Sequence, residues 1–539
     1  MELWEALTRR TGHGRLRAWT GSGFAEMTWG EVATEAAGVA AGLRRAGVHP
    51  GHTVAALLTN TPAAVPGLLG IWLAGGTVAS LPVPAPGMDR RTYARDVADL
   101  VGRLDAPLIL ADERLLDLLP AAPRSRSWQS LRGDGGGWTG REPPGDDEPA
   151  YIQFSSGSTS APKGCVLTAR AIAAQLELIV DFTGGRPGHE VVSSWLPLSH
   201  DMGMFGCLLV SWAYDYHLVL SSPERFTLGP RTWFGDMAEH GVTMTAGTNT
   251  ALYLATRMQR SAPLPGPLRL RTCIVGAERV DVTTLQQTVR TFGPYGLAAD
   301  VMQPAYGLAE ATLAVTACPA RAPAVVTVDG LALAGGELAD VAPDDPVAVP
   351  VVSTGPPCRG VTVDVEEPGR LSPIRVSSPS LASGYFADEK RTRATFTPDG
   401  LRTGDLGFLR DGELYVVGRG DDVLTVAGRN VHAHEIEARI DDHPAVRKGC
   451  VVLLDVPADG YRELVVLAEL RRRDADHRAF AEQAARVVLT RAGVTLDRCV
   501  FVPKGTLPKT PSGKIQRFRC RQLLHQHALE PLAHVVLSG

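Results

Sequence analysis

The chain alternates helical and strand patterns almost from its start. Thr28 followed by Glu31 has the form of a capping box, and the alanine-rich stretch behind it ends at Arg44, Arg45 and Gly47, residue types that favour a helix C-terminus. Residues 53–58 read as a strand, 62–74 as a buried helix and 77–81 as a second strand. Such alternation predicts an α/β fold with mostly parallel sheets covered by helices on both faces. The Gly-, Pro-, Ser- and Arg-rich stretch 121–147 reads as a surface loop. From 361 to 400 short apolar runs alternate with Gly, Pro and Asp turns, with no distinct linker. Beyond 422, strands are predicted at 451–454 and 463–470 and an amphipathic helix at 474–492. They make a small α+β unit of roughly 120 residues, an ordinary domain size. No internal repeat is present.

Length and composition narrow the picture. A chain of 539 residues exceeds what one compact core holds, so at least two domains are expected. A net charge of −4 gives no overall basic field for nucleic acid or an anionic membrane. The eight cysteines are scattered with no CxxC pair, which argues against a zinc site or a disulfide scaffold. Residues 1–10 lack a secretory signal pattern, and the longest apolar runs, 62–75 and 204–214, are too short to span a bilayer. A cytoplasmic location with reduced thiols is the expectation.

The first segment with chemical content is YIQFSSGSTSAPKG at 151–164, an extended apolar start running into a loop dense in hydroxyls and glycine. Converging backbone N–H groups and hydroxyls in such a loop bind phosphate oxygens, although a plain turn has the same composition. It is not a Walker A loop, because GxxxxGK[ST] cannot be laid onto 157–163. Further segments follow: WLPLSHDMG at 195–203, GAE at 276–278, YGLAEAT at 306–312, LRTGD at 401–405, GRGDD at 418–422 and PKTPSGK at 508–514. Taken singly, each has an ordinary reading. Glu310 reads as a helix N-terminal carboxylate, His200 as a core histidine, 403–405 as a turn, and Lys514 as a solvated surface lysine.

In this order the segments resemble the core motifs of the adenylate-forming superfamily of acyl-CoA synthetases, luciferases and peptide-synthetase adenylation domains, over about residues 28–524. The stretches 196–203 and 306–313 look most like fatty acyl-AMP ligases, and 325–354 resembles the insertion that family carries. The resemblance implies ATP-dependent activation of a carboxylic acid, in the first place a fatty acid, to acyl-AMP with pyrophosphate release. Transfer to the phosphopantetheine thiol of a separate holo-acyl carrier protein, in lipid or polyketide/nonribosomal peptide biosynthesis, would follow. It implies a 1–418 N-terminal domain that binds ATP and acid, and a small mobile 419–539 C-terminal domain that carries the catalytic lysine. Ser156, Gly157, Ser158, Thr159 and Lys163 would hold the β- and γ-phosphates, and Glu310 would ligate Mg²⁺. Tyr306 and Gly307 with Gly276, Ala277 and Glu278 would form the adenine slot. Asp405 would accept the ribose hydroxyls, with Arg419 on ribose or phosphate, Thr312 on the α-phosphate and His200 beside the acyl carboxylate. Lys514 would bridge carboxylate and α-phosphate, and Asp421 would be the hinge between an adenylating and a thioester-forming pose, the second bringing in residues 428–437.

The sequence departs from the family pattern at Ser160 and at Thr248 and Ala433, where relatives tend to have glycine and proline respectively. The run SWAYDY at 211–216 places Trp212, Tyr214 and Asp215 either along an acyl tunnel, shortening or polarising it, or in ordinary core. Three other readings remain: an acyl-CoA or aryl-CoA ligase using free coenzyme A, an amino acid adenylation enzyme, and a catalytically silent nucleotide-binding protein. The second lacks its usual Phe-Asp motif before Val219, and the third is opposed by the joint presence of Lys514, Glu310, Asp405 and Arg419. No carrier segment follows Lys514, so any thiol acceptor is expected on another molecule.

Overall fold

The computed structural model describes residues 1–537 except 85–89, 120–123, 133–141, 156–162, 260–262, 421–422, 427–428, 459–460, 473–474, 510–514 and 527. The capping box forms as expected: Thr28 Oγ1 accepts from the Glu31 N–H at 3.1 Å, and Glu31 accepts from the Thr28 N–H at 2.7 Å. Helix Trp29–Arg45 packs on helix Ala64–Leu73, which is buried on all sides, and strands Thr53–Ala56 and Thr77–Ser80 pair in parallel.

Two large sheets follow from this alternation. One has seven strands, with its parallel centre at Pro149–Ser155, Thr77–Ser80, Thr53–Ala56 and Leu108–Ala111 arranged as Thr77–Ser80 beside Pro149–Ser155 and Thr53–Ala56 beside Leu108–Ala111. The other has eight, in the order Ala314–Ala317, Met302–Gly307, Thr272–Val275, Met244–Gly247, Val191–Ser194, His217–Leu220, Arg15–Trp19, Phe24–Thr28, and it is antiparallel only at its two edges. Asn60 joins the two sheets by donating to the carbonyls of Leu196 and Ser221 and accepting from the Leu198 N–H.

The stretch expected as loop at 121–147 contains an edge strand, Arg124–Ser127, paired in parallel with Leu108–Ala111. Alternating Arg and Ser carry no hydrophobic signal, so an edge strand held by backbone pairing is invisible to periodicity. Trp128, next in the chain, is fully buried against Gly67, where a Cβ would lie 2.2 Å from the indole ring. A third, antiparallel sheet of Thr362–Val365, Ser372–Ser377, Gly400–Arg410 and Glu413–Arg419, with short Phe396–Thr397, occupies the turn-rich region. Residues 325–354 form their own hairpin, Val325–Asp329 against Ala348–Val352, seated on Phe408, Tyr415 and Val417.

After Arg419 the described strands pair only with one another. Val446–Ala458, Tyr461–Leu470, Arg498–Val502 and Ala533–Val536 make a four-stranded sheet whose core includes helices Ala433–Asp441 and His477–Ala492. Among the described residues no helix is long and apolar enough to cross a membrane.

The 211–216 run belongs to the core. Trp212 is buried and stacks on Trp29 at 5.3 Å and 13°, and Asp215, at φ +58°, accepts from the N–H groups of His13 and Gly14. Trp212→Leu is therefore expected to cost about 2 kcal/mol of stability, read by urea denaturation, without changing which acids are accepted.

Candidate active site

Parallel strands present their carboxyl ends to a common crevice, the usual place for a ligand in open α/β sheets. Here Gly276 follows strand Thr272–Val275, Tyr306 and Gly307 end strand Met302–Gly307, and His200 lies beyond strand Val191–Ser194. A cavity of about 940 Å³ opens there, and its wall includes Lys163, His200, Gly276, Ala277, Glu278, Tyr306, Gly307, Glu310, Asp405 and Arg419. Helix Ala433–Asp441 and the residues Lys509, Ile515 and Arg517 line it as well.

Tyr306 donates its hydroxyl to Asp405 Oδ2 at 2.6 Å, and Arg419 Nε lies 3.5 Å from the other carboxylate oxygen. Burial and the adjacent Asp405 carboxylate push the Tyr306 phenol well up, so it stays a neutral donor. Gly307 is required by close approach: a Cβ there would sit 1.9 Å from the Leu313 carbonyl oxygen. Ala277 is held at φ +65°, a left-handed conformation that turns the chain at the strand end. Glu278 accepts from Thr250 through both its N–H and its hydroxyl, the latter at 3.1 Å.

Glu310 is oriented by Tyr385, whose hydroxyl donates to Glu310 Oε1 at 2.7 Å, and Lys163 Nζ lies 5.5 Å from the centre of the same ring. Burial and the Glu310 carboxylate raise the Tyr385 phenol far above its ordinary range. His200 Nδ1 sits 2.6 Å from Asp201 Oδ1, and the side chain caps the short turn beginning at Asp201. Thr312 does not reach the cavity wall: it is fully buried at φ +65° and donates its hydroxyl to the Ser380 carbonyl at 2.6 Å. Ser380 donates to the Ala311 carbonyl and the Ala382 N–H to the Glu310 carbonyl, so segment 380–382 straps the turn that presents Glu310. A β-branched residue at positive φ is costly, and the strap supplies the contacts that hold it.

Ser156, Gly157, Ser158, Thr159, Asp421 and Lys514 lie outside the described residues. The flanks of the last are placed: Lys509 and Ile515 pair across 510–514, and the Gln516 N–H donates to the Pro508 carbonyl at 2.8 Å. Tyr385, the 380–382 strap and Arg517 escaped the sequence reading, because their partners lie far away in the chain and no local pattern announces them. Among the described residues no group of three or more His, Cys, Asp or Glu side chains is placed to hold a metal by itself. Glu310 as one carboxylate ligand on the cavity wall suits a hard cation that arrives with phosphate oxygens and water.

The model of the AMP-binding enzyme family matches residues 7–386, and that of the AMP domain of Disco-interacting protein 2-like proteins matches 421–533. A putative ligase, Rv1013, of Mycobacterium tuberculosis is 31% identical over 509 residues, covering 91% of this chain and 93% of that protein. The medium-chain-fatty-acid–[acyl-carrier-protein] ligase JamA of Moorena producens is 33% identical over 401 residues, 70% of this chain and 67% of its own. A solved structure from work on fatty acyl-adenylate ligases of E. coli and L. pneumophila superposes with a TM-score of 0.89 at 24% identity, covering 98% of both chains. The fold, the order of the motif-bearing turns and these matches converge: the chain belongs to the AMP-binding enzyme family and is an adenylate-forming ligase.

Proposed function

We propose that the protein activates a fatty acid with ATP and passes the acyl group to the phosphopantetheine thiol of an acyl carrier protein. The observation that carries this reading is one cavity with two unlike kinds of wall. Its lining joins the polar Tyr306, Asp405, Arg419 and Glu310 to apolar side chains on three neighbouring strands of the eight-stranded sheet, Val192, Met244, Ala246 and Ile274. The relatives named as a carrier-protein ligase and as a long-chain-fatty-acid–AMP ligase of Mycobacterium marinum support the acceptor and the acid.

In the first half-reaction a carboxylate oxygen attacks the α-phosphorus, the new P–O bond gives acyl-AMP, and the bond to the leaving pyrophosphate breaks. Two anions meet at a centre whose negative charge grows, so positioning and charge stabilisation carry the catalysis. Tyr306 stacks on adenine, with Gly307, Gly276, Ala277 and Glu278 shaping the slot. Asp405 takes the ribose hydroxyls and Arg419 neutralises the nearby charge. Lys163, with Ser156, Gly157, Ser158 and Thr159, holds the β- and γ-phosphates, and His200 borders the acyl carboxylate. Glu310, oriented by Tyr385, would hold Mg²⁺, which draws charge from the phosphate oxygens. Thr312 would act through its hydroxyl bond to the Ser380 carbonyl, in the strap that presents Glu310, in place of the direct α-phosphate contact that resemblance implies. The division falls near 418/419, with Asp421 as hinge and the second unit carrying both Lys514 and residues 428–437.

Incubation with ATP, Mg²⁺ and a panel of acids, with holo-carrier protein and coenzyme A offered in parallel, tests this by mass spectrometry. Acyl-AMP with carrier loading and no acyl-CoA is the expected product set. Acyl-CoA as the main product would move the protein to the coenzyme A-dependent branch. Asp405→Asn removes a charged ribose acceptor and is expected to lower kcat/KM for ATP about 10- to 100-fold, mostly through KM. An unchanged KM for ATP would remove Asp405 from the nucleotide site.

A further inference from the structure

Chain length is written into the strand register of the apolar wall, where the lining begins at Val192, Met244 and Thr272. Three neighbouring strands form it, and their pairing places Val192, Met244 and Thr272 in one row, with Ala246 beside Ile274 in the row above. Gly276, in the adenine slot proposed above, is four residues beyond Thr272, about 13 Å along a strand. Extended covalent chain advances about 1.2 Å per bond. The wall therefore accommodates about ten carbons between Gly276 and this row.

Just ahead of this row in the chain the strand starts carry a polar network. Glu190, Thr243 and Arg271 each precede a strand of the wall, and they form a single network. Arg271 lies 2.7 Å from Glu190 Oε1, Thr243 donates to Glu190 Oε2 at 2.6 Å, and Arg186 Nε donates to Oε1 at 3.1 Å. Thr243 also accepts from the Val191 N–H at 3.1 Å, so the network ties the strand starts together. The Glu190 side chain is fully buried. Burial would raise its pKa, but the hydrogen bonds from Arg271, Thr243 and Arg186 hold it at about 2, and it remains ionised. An alkyl chain passing this point would have to part a buried carboxylate from its cations, which is strongly unfavourable. A stop of apolar contacts alone would yield more readily by rotamer changes.

We infer that the row Val192–Met244–Thr272, backed by the Glu190–Arg271–Thr243 network, is a chain-length stop that makes this protein select unbranched acids of about eight to twelve carbons. The inference rests on the acyl-AMP reading above, and it assigns specificity to residues that touch neither nucleotide nor carboxylate. Below the stop each added methylene gains about fourfold in kcat/KM from burial, and beyond it the gain reverses.

Pyrophosphate release by the whole chain would be measured against straight-chain acids from four to eighteen carbons. The expected profile rises to a maximum at eight to twelve and falls at least tenfold by sixteen. Met244→Trp, which fills that row, is expected to move the maximum at least two carbons shorter, with KM for ATP unchanged. If that variant fails to fold, Thr272→Leu makes the same test, and the wild-type profile needs no variant at all. Undiminished turnover at sixteen and eighteen carbons would overturn the stop, as would an unshifted maximum in the folded variants. Failure to activate any acid would instead sink the acyl-AMP reading itself, so the two outcomes are distinct.

Discussion

Lys514→Ala is expected to lower acyl-AMP formation about 10²–10³-fold while leaving transfer from supplied acyl-AMP close to wild type. The reason lies in when the charge appears. Carboxylate and α-phosphate repel before they react, and the pentavalent centre between them is more negative than either alone. An ammonium reaching both lowers the barrier more than it stabilises the separate ground states, which is the condition for a rate effect. The described flanks of residues 510–514 stand at the cavity. Lys509 donates to the Gly449 carbonyl at 2.7 Å and pairs with Ile515, and both residues stand on the cavity wall. Thiol attack on finished acyl-AMP needs no such bridge between two anions, so that half-reaction is spared. Pyrophosphate release and carrier loading from synthetic acyl-AMP, measured on the same preparation, check both halves. An equal fall in the two would sink the assignment of Lys514 to one half-reaction. Lys514→Arg serves as the control, since it keeps the charge but changes its reach and geometry.

What the sequence made legible was short in range. The Thr28–Glu31 capping box, the helix now placed at Ala64–Leu73 and the strands flanking it each announce themselves within a few residues, and they fold accordingly. The turns carrying Gly276, Tyr306 and Asp405 are also local, and the sheet brings them to one cavity because parallel strands end on the same side. Tyr385 was silent because its meaning is a single hydrogen bond to Glu310, 75 residues away in the chain. The Glu190 network was silent for the same reason: its members are ordinary charged and hydroxyl residues until three strand starts are laid side by side. Trp212 shows the reverse. Its size left a wall for the acyl chain and ordinary core both open, and its stack on Trp29 places it in the core.

Arg517→Met should destabilise the second unit by about 3–5 kcal/mol, because it strands a buried carboxylate. Arg517 begins helix Arg517–His525, and its Nη1 and Nη2 donate to the two oxygens of Glu437 at 2.5 and 3.0 Å. Nη1 also donates to the Leu453 carbonyl, and the Leu453 N–H donates back to Glu437, both at 2.6 Å. The two side chains are only 7% and 11% exposed, so water does little to relieve a missing partner. Burial alone would raise Glu437, but Arg517 and His434 hold it at about 2, below the usual carboxylate range. The pair therefore contributes fully above that range, and its contribution is lost as pH falls through it towards 2. Without Arg517 the carboxyl is free to take up a proton at higher pH, so the gap between variant and wild type should narrow on acidification. Urea denaturation at several pH values reads this directly, and a gap independent of pH would mean that lost packing, not lost charge, sets the cost. Glu437→Gln in the same molecule removes the stranded charge and should recover a good part of the stability. The functional consequence follows from chain position. Glu437 closes the 428–437 segment, Arg517 follows Lys514 by three residues, and their ion pair ties helix Ala433–Asp441 and helix Arg517–His525 into one piece. Under the two-pose reading, loosening that piece lowers adenylation and transfer together, whereas Lys514→Ala separates them.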